Sequence, residues 1–227
     1  MSRTVGIVIN ARAASSRVPR KLIRPFGDTT LLDIALKKMS NIHGVSEKCL
    51  AARDDDILSI YEKYSDDIHL LERSEEAVSE GEHDHRVSFS HFCNVESDYI
   101  MVMNPCIPFS KISTYENAIN YFIDHLEIVS LTSTIEFKDV FFDGDNKVMS
   151  LKDVHHISTV TSIPINKMAH VFHIVDKERF CKDGIIFGYE AGDPEFFPVS
   201  KYECFDIDEE EDFEFCSMMY EMIGDKF

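Results

Sequence analysis

Thr4-Val5-Gly6-Ile7-Val8-Ile9-Asn10 runs directly into Ala11-Arg12-Ala13-Ala14-Ser15-Ser16-Arg17-Val18-Pro19-Arg20-Lys21. The first seven residues are β-branched and nearly continuously apolar, the pattern of a strand buried on both faces of a parallel sheet. From Ala11 to Gly27 there is no sustained periodicity, and small residues, Pro19 and Pro25 interrupt the chain. That composition predicts a long loop at the carboxyl end of the first strand. Asp28 or Thr29 then predicts the cap of a helix whose apolar stripe is Leu31, Leu32, Ile34, Ala35, Leu36 and Met39.

The alternation repeats downstream. Strands are expected near Cys49–Ala52, Ile68–Leu71 and Tyr99–Met103, with helices over Ile57–Tyr64, Asp84–Asn94 and Ser113–His125 and a polar loop from Ser74 to Gly81. Strands alternating with helices give βαβ units, so the fold class is α/β, a mostly parallel sheet flanked by helices with ligands outside the carboxyl ends of the strands. After a strand at Val129–Thr134 the texture changes. Phe141-Phe142 and Val148–Leu151 flank the turn signal Asp143-Gly144-Asp145-Asn146, which predicts a small inserted β-hairpin within about residues 135–170. It reads either as an arm packing on a second subunit or as a flap on the same one. Strands at His170–Val175 and Phe196–Val199 and a helix over Glu209–Met222 complete a single domain spanning residues 1–227.

With 227 residues the chain is long enough to bury a core without staples. Cys49, Cys93, Cys106, Cys181, Cys204 and Cys216 form no CxxC pair, and reduced thiols are expected in a cytoplasmic protein. No basic leader precedes an apolar run, and none is long enough for a membrane span. The formal net charge of -18 repels a phosphate backbone, so nucleic acid is an unfavourable partner. Yet Met1 to Gly27 contains no Asp or Glu, while Arg3, Arg12, Arg17, Arg20, Lys21 and Arg24 all fall there. An acidic chain has kept one anion-attracting segment.

The small residues at 13–16 allow backbone N–H groups to approach an anion, and hydroxyl and guanidinium groups add charge-assisted donors. Such a cradle suits a triphosphate attacked at its α-phosphorus, because fixed cations neutralise the departing pyrophosphate. Neither the GxxxxGK(S/T) nor the GxGxxG pattern is present, which separates the loop from P-loop and dinucleotide-binding proteins. The bland alternative is a solvated basic loop. Near the other end of the chain stands Phe205-Asp206-Ile207-Asp208-Glu209-Glu210-Glu211-Asp212-Phe213. In extended backbone Asp206 and Asp208 share one face, a pairing suited to Mg2+, which takes one or two carboxylates with phosphate oxygens and water. Alternatively, Asp208 caps the last helix and the acids after it favour the helix dipole.

The stretch NARAASSRVPRKLIRPFGDTTLL from Asn10 to Leu32 resembles the opening signature of the acylneuraminate cytidylyltransferase family, the CMP-sialic acid synthetases and relatives. Ala11, Arg12, Ser15, Pro19 and Lys21 stand at matching positions, with Leu22 where the family has Asn. Asp206 and Asp208 match the first two acids of the family's D-I-D-T-x-x-D element, its metal ligands, and Asp212 lies near the later acid. The resemblance implies a Rossmann-like nucleotidyltransferase fold, transfer of CMP from CTP to an acidic sugar, Mg2+ dependence, and a homodimer built with the inserted arm. It places Arg12 and Lys21 on the triphosphate as the catalytic cations, with Ser15, Ser16 and Arg17 lining the loop, and Arg73 near the cytosine nucleotide.

The middle of the chain departs from that pattern. Where the family has L-Q-P-T-S-P-L-R, this chain has Met103-Asn104-Pro105-Cys106-Ile107-Pro108-Phe109-Ser110; Asn104 keeps the amide of the glutamine, expected on the nucleotide. Cys106 reads as a nucleophile or, with no basic partner evident, as a packed thiol. The polar elements tied to the sugar acid are missing from Thr161–Ile174, where Lys167 or His170 is the candidate carboxylate ligand. Histidines at 83, 85, 155, 156, 170 and 173 invite a zinc reading without a third ligand at any cluster. His85 and Arg86 are candidates for a contribution to a neighbouring subunit's site. Two other functions stay open: the same chemistry on a phosphonate or other small acid, and a non-catalytic nucleotide-binding relative.

Overall fold

The computed structural model describes residues 3–79, 84–153, 155 and 158–223. Strand β1 (Val5–Asn10) leads through the basic loop to helix α1 (Leu31–Ser40), followed by β2 (Glu47–Ala52), α2 (Asp55–Tyr61) and β3 (His69–Glu72). Two short helices, α3 (Glu75–Val78) and α4 (His85–Ser88), precede a 3-10 turn over Ser90–Asn94 and β4 (Tyr99–Met103). Helix α5 (Ile112–Asp124), β5 (Leu131–Phe137), β6 (Ile165–Asp176), α6 (Lys177–Asp183), β7 (Glu195–Pro198) and α7 (Glu210–Ile223) complete the order.

The seven strands form one sheet in the order β3-β2-β1-β4-β6-β5-β7. All pairs are parallel except β4 with β6 and β5 with β6. β1 lies between β2 and β4, which explains its unbroken apolar run: Val5, Ile7, Val8 and Ile9 are all buried. Gly6 is required by close approach, since a Cβ there would sit 2.8 Å from Ser97 Oγ and 2.9 Å from Glu47 Cγ. The larger core joins α1, α5 and α7 to one face of the sheet, and a smaller one joins the 90–94 turn and α6 to the other.

Several expectations need correction. The cap of α1 is Thr30, whose hydroxyl accepts from Asp33 N, while Thr29 donates to the Asp33 carboxylate. The segment 84–94 is a short helix and a separate 3-10 turn, not one helix. Among its described residues the inserted hairpin has no strands of its own: Phe142–Val148 and Leu151–Ser162 are isolated bridges. Its legs are β5 and β6, which pair antiparallel out to Phe137 and Ile165, so residues 138–164 form the excursion. Alternation marked extended segments there but not which partners they would find. Helix α6 was not expected, although Asp176 caps its start and Gly184, at φ 72°, ends it. Nor are all six cysteines free thiols. Cys93 and Cys181, 88 residues apart, form a disulfide where the 90–94 turn meets α6 and Phe92 packs on Phe180. Only tertiary packing makes that pair, so spacing gave no sign of it.

Candidate active site

Three buried apolar anchors, Val18, Leu22 and Phe26, pin the basic loop to the core. Arg17 and Lys21 stand one position before Val18 and Leu22. Backbone bonds from Lys21 N to Val18 O and from Arg24 N to Arg20 O hold these turns. Below the loop, Ala11 N donates to Ala51 O, and Ala13 N donates to the Asp54 carboxylate at 3.0 Å.

The loop roofs a cavity of about 490 Å³ at the carboxyl ends of β1 and β4. Arg12, Ser15, Ser16, Arg17 and Lys21 line it together with Asn104, Asp206 and Asp208. Ala11 and Arg73 do not. Arg73, expected near the nucleotide, is buried beneath the loop, where its guanidinium donates to the carbonyls of Ala11, Ala77 and Ser88. Burial, and then Arg12, lowers its pKa to about 10, so it stays charged at neutral pH.

The charge cluster divides. Arg12, Arg17 and Lys21 face the cavity, while Arg3 donates to carbonyls of Phe122, His125 and Leu126 at the far end of the sheet. Arg20 pairs with Asp56 at 2.8 Å, and Arg24 pairs with Glu210 and stacks 4.0 Å over the Phe213 ring. Half of the basic residues therefore serve the fold.

The two chain ends meet at this cavity. Ile207 is buried and its N–H donates to Cys106 O, which turns Asp206 and Asp208 to the cavity side. Arg17 Nη2 lies 2.6 Å from Asp208 Oδ1, and Lys21 Nζ donates to Ile207 O and lies 3.7 Å from Asp208. Asp208 does not cap α7. The Asp212 carboxylate does so from inside the helix, accepting from the N–H groups of Asp208 and Glu209. Asn104 bridges the two sides, with Oδ1 accepting from Cys106 N and Nδ2 donating to Asp206 Oδ2 at 3.2 Å.

Burial, then the neighbouring Asp208, raises the Asp206 pKa, while Lys21 opposes the rise. Two carboxylates on one cavity wall, beside the cations of the loop, form a donor set suited to a hard divalent ion. Burial pushes the Cys106 thiol up to about 11, which favours a packed protonated thiol over a nucleophile. Among the described residues no three His, Cys, Asp or Glu side chains gather as a metal cluster. His83 and His156 lie outside the described residues. Arg86 pairs with Asp84, and neither it nor His85 lines the cavity. Lys167 is exposed on β6 away from the cavity, whereas His170 lines it.

Sequence reasoning missed Asn10, Phe89 and His173 as cavity residues, and His91 behind them. The Asn10 side chain accepts from His91 Nε2 at 2.6 Å, and His91 is buried. Burial, then Arg73, pushes the His91 pKa down to about 3. Its folded value lies below the unfolded value of about 6.5, so the unfolded chain binds the proton more tightly. Stability is full above about pH 6.5 and is lost as pH falls toward about 3. His91→Gln is expected to flatten the fall in urea midpoint between pH 7.5 and 4.5; parallel curves for the two proteins would refute the assignment.

A mostly parallel α/β sheet with a cationic loop over its carboxyl edge and two carboxylates opposite has the architecture of a nucleotidyltransferase. The family model described as cytidylyltransferase matches residues 6–163, and the chain belongs to that family. Among curated proteins none matches it. Among solved structures, the chain is similar to a CMP:2-keto-3-deoxy-manno-octonic acid synthetase complexed with CTP, with a TM-score of 0.72 at 11% identity over 96% of this chain and 99% of that one. It is also similar to the 4-diphosphocytidyl-2C-methyl-D-erythritol synthase of Anaerococcus prevotii (TM-score 0.66, 17% identity, 96% of each chain). A cytidylyltransferase of Leptospira borgpetersenii follows at 0.61 and 16%, over 97% of this chain and 87% of that one. At these identities the likenesses establish the fold. No helix among the described residues is long and apolar enough to cross a membrane.

Proposed function

We propose that the chain transfers CMP from CTP to an acidic sugar of the sialic-acid-like 2-keto acid class, releasing pyrophosphate. The observation that carries this reading is the meeting of Arg17 and Lys21 with Asp206 and Asp208 across one cavity. The residue matches to acylneuraminate cytidylyltransferases over Asn10–Leu32 and at Asp206 and Asp208 support it. So does the likeness to a synthetase whose name includes a 2-keto sugar acid.

In this mechanism the triphosphate replaces Asp208 as the partner of Arg17, and Arg12 and Lys21 reach it from the same loop. An acceptor hydroxyl attacks the α-phosphorus and gives up its proton to solvent; its O–P bond forms as the bond from the α-phosphorus to the bridging oxygen breaks, and pyrophosphate leaves with that electron pair. The loop cations neutralise the charge that develops on the leaving group. Asp206 and Asp208 would hold Mg2+, which supplies Lewis-acid polarisation of phosphate oxygens. Asn104 orients the Asp206 carboxylate through its amide. The excursion over 138–164 bears exposed Phe142, Met149 and Val160, which supports its proposed role as a homodimer arm.

Pyrophosphate release from CTP and Mg2+ tests the proposal over a panel of nonulosonic acids, other 2-keto sugar acids and phosphonates. Release is expected with a sugar acid and not with ATP in place of CTP. Release with a phosphonate alone would transfer the chemistry to that acceptor class, and no release together with no CTP binding would overturn the enzyme reading.

A further inference from the structure

β6 carries a wide bulge where it crosses the cavity. Thr132 on β5 faces His173, and the next paired position, Thr134, faces Met168, so Ser133 alone stands against residues 169–172. The buried Ser133 hydroxyl accepts from Val171 N and Phe172 N and donates to Phe172 O, satisfying backbone groups that the ladder has released. Within the bulge His170 sits at φ 55°, in the left-handed region unusual for a side chain of this kind. Bulges re-aim side chains, and strain of this sort persists where the surroundings enforce it. Here the bulge brings His170 to the cavity wall.

A hydrogen-bonded chain runs behind that imidazole. His170 Nδ1 lies 3.3 Å from His173 Nε2, and His173 Nδ1 lies 2.8 Å from Thr132 Oγ1. Thr132 is fully buried, and among the described residues its hydroxyl has no other partner. A buried hydroxyl left without an acceptor is costly, so Thr132 donates to His173 Nδ1. His173 is held neutral, its pKa pushed down to about 4 by burial and then by His170. Its single ring proton is therefore on Nε2 and is donated to His170 Nδ1. His170 Nδ1 accepts that bond, so the ring proton of His170 stands on Nε2.

We infer that His170 is an acceptor-binding residue, whose Nε2–H, in a tautomer set by Thr132 and His173, donates to an anionic oxygen of the acceptor acid. This rests on the proposed transferase reading and adds to it the group that receives the acceptor's charge. His170 touches the substrate, whereas His173, Thr132 and Ser133 position it.

Two measurements test the inference. Long-range 1H–15N NMR on the labelled free protein reads tautomers without turnover; Nε2–H is expected on both His170 and His173, and Nδ1–H on His170 would overturn the relay. In steady-state assays, His170→Ala is expected to raise the acceptor KM about 10- to 100-fold, the range for a hydrogen bond to a charged group, with the CTP KM unchanged. His170→Gln, which keeps an N–H donor, should recover part of that loss. Thr132→Val should raise the acceptor KM several-fold and Thr132→Ser should restore it, a difference that mere packing would not produce. An unchanged acceptor KM in His170→Ala, with the wild type active, would refute this inference alone. A wild-type protein that binds CTP yet turns over no acid would instead refute the transferase reading and the acceptor assignment with it.

Discussion

Lys21→Ala is expected to abolish measurable turnover, a loss of at least about 100- to 1,000-fold in kcat, while the protein stays folded. Lys21 is much less exposed than Arg17, with 15% of its side chain accessible against 55%, and it touches both halves of the site. Its ammonium donates to Ile207 O and lies within Coulombic reach of Asp208. Removing it deprives the leaving pyrophosphate of a partly desolvated counter-charge, and partial desolvation is what makes such a charge effective. The fold should tolerate the change, because Val18, Leu22 and Phe26 anchor the loop independently of Lys21. Pyrophosphate release and thermal unfolding of the same preparation check both halves of the statement. Unchanged activity would remove the loop from the mechanism.

Arg73→Ala should act in the opposite way, on stability first. Three carbonyls, from Ala11, Ala77 and Ser88, accept from this one buried guanidinium. Leaving buried acceptors unmet costs about 1–3 kcal/mol each. A total of about 3–5 kcal/mol corresponds to a fall in Tm of about 10 °C or more for a chain of this size. Arg73→Lys should recover little, since an ammonium cannot reproduce the planar fork that spans three directions. CTP binding is expected to weaken only secondarily, through a loosened Ala11. A variant with unchanged Tm and lost CTP affinity would put Arg73 on the nucleotide, contrary to its place beneath the loop.

Arg73 shows where sequence reading succeeds and where it fails. That an Arg after the third strand matters was legible from the resemblance; that it points down into the fold was not, because direction depends on α3 and α4 packing above it. The parallel half of the sheet was readable from its β-branched, unbroken strands, since burial on both faces leaves a pattern along the chain itself. The antiparallel half was harder. β6 lies inside the sheet between β4 and β5 but carries a bulge in its middle, and the bulge erases the period of two just where His170 is displayed. Asp206 and Asp208 were legible because alternation around Ile207 needs no knowledge of the rest of the chain. Asn10, Phe89 and His173 were not, as each is an ordinary residue of its own segment and becomes a cavity residue only through its neighbours.

The loop and the acidic pair are joined by Arg17 to Asp208 and Lys21 to Ile207, contacts that link positions separated by 191 and 186 residues. During synthesis, at about 5–20 residues per second, the early cationic segment waits on the order of ten seconds or more before its counterpart leaves the ribosome. Until then a nascent chain has half of the proposed nucleotide pocket, with Arg17 and Lys21 but without Asp206 and Asp208. Competence for chemistry is thus among the last properties the growing polypeptide acquires, and a fragment ending before position 206 would carry an intact first strand and loop yet nothing with which to close the site.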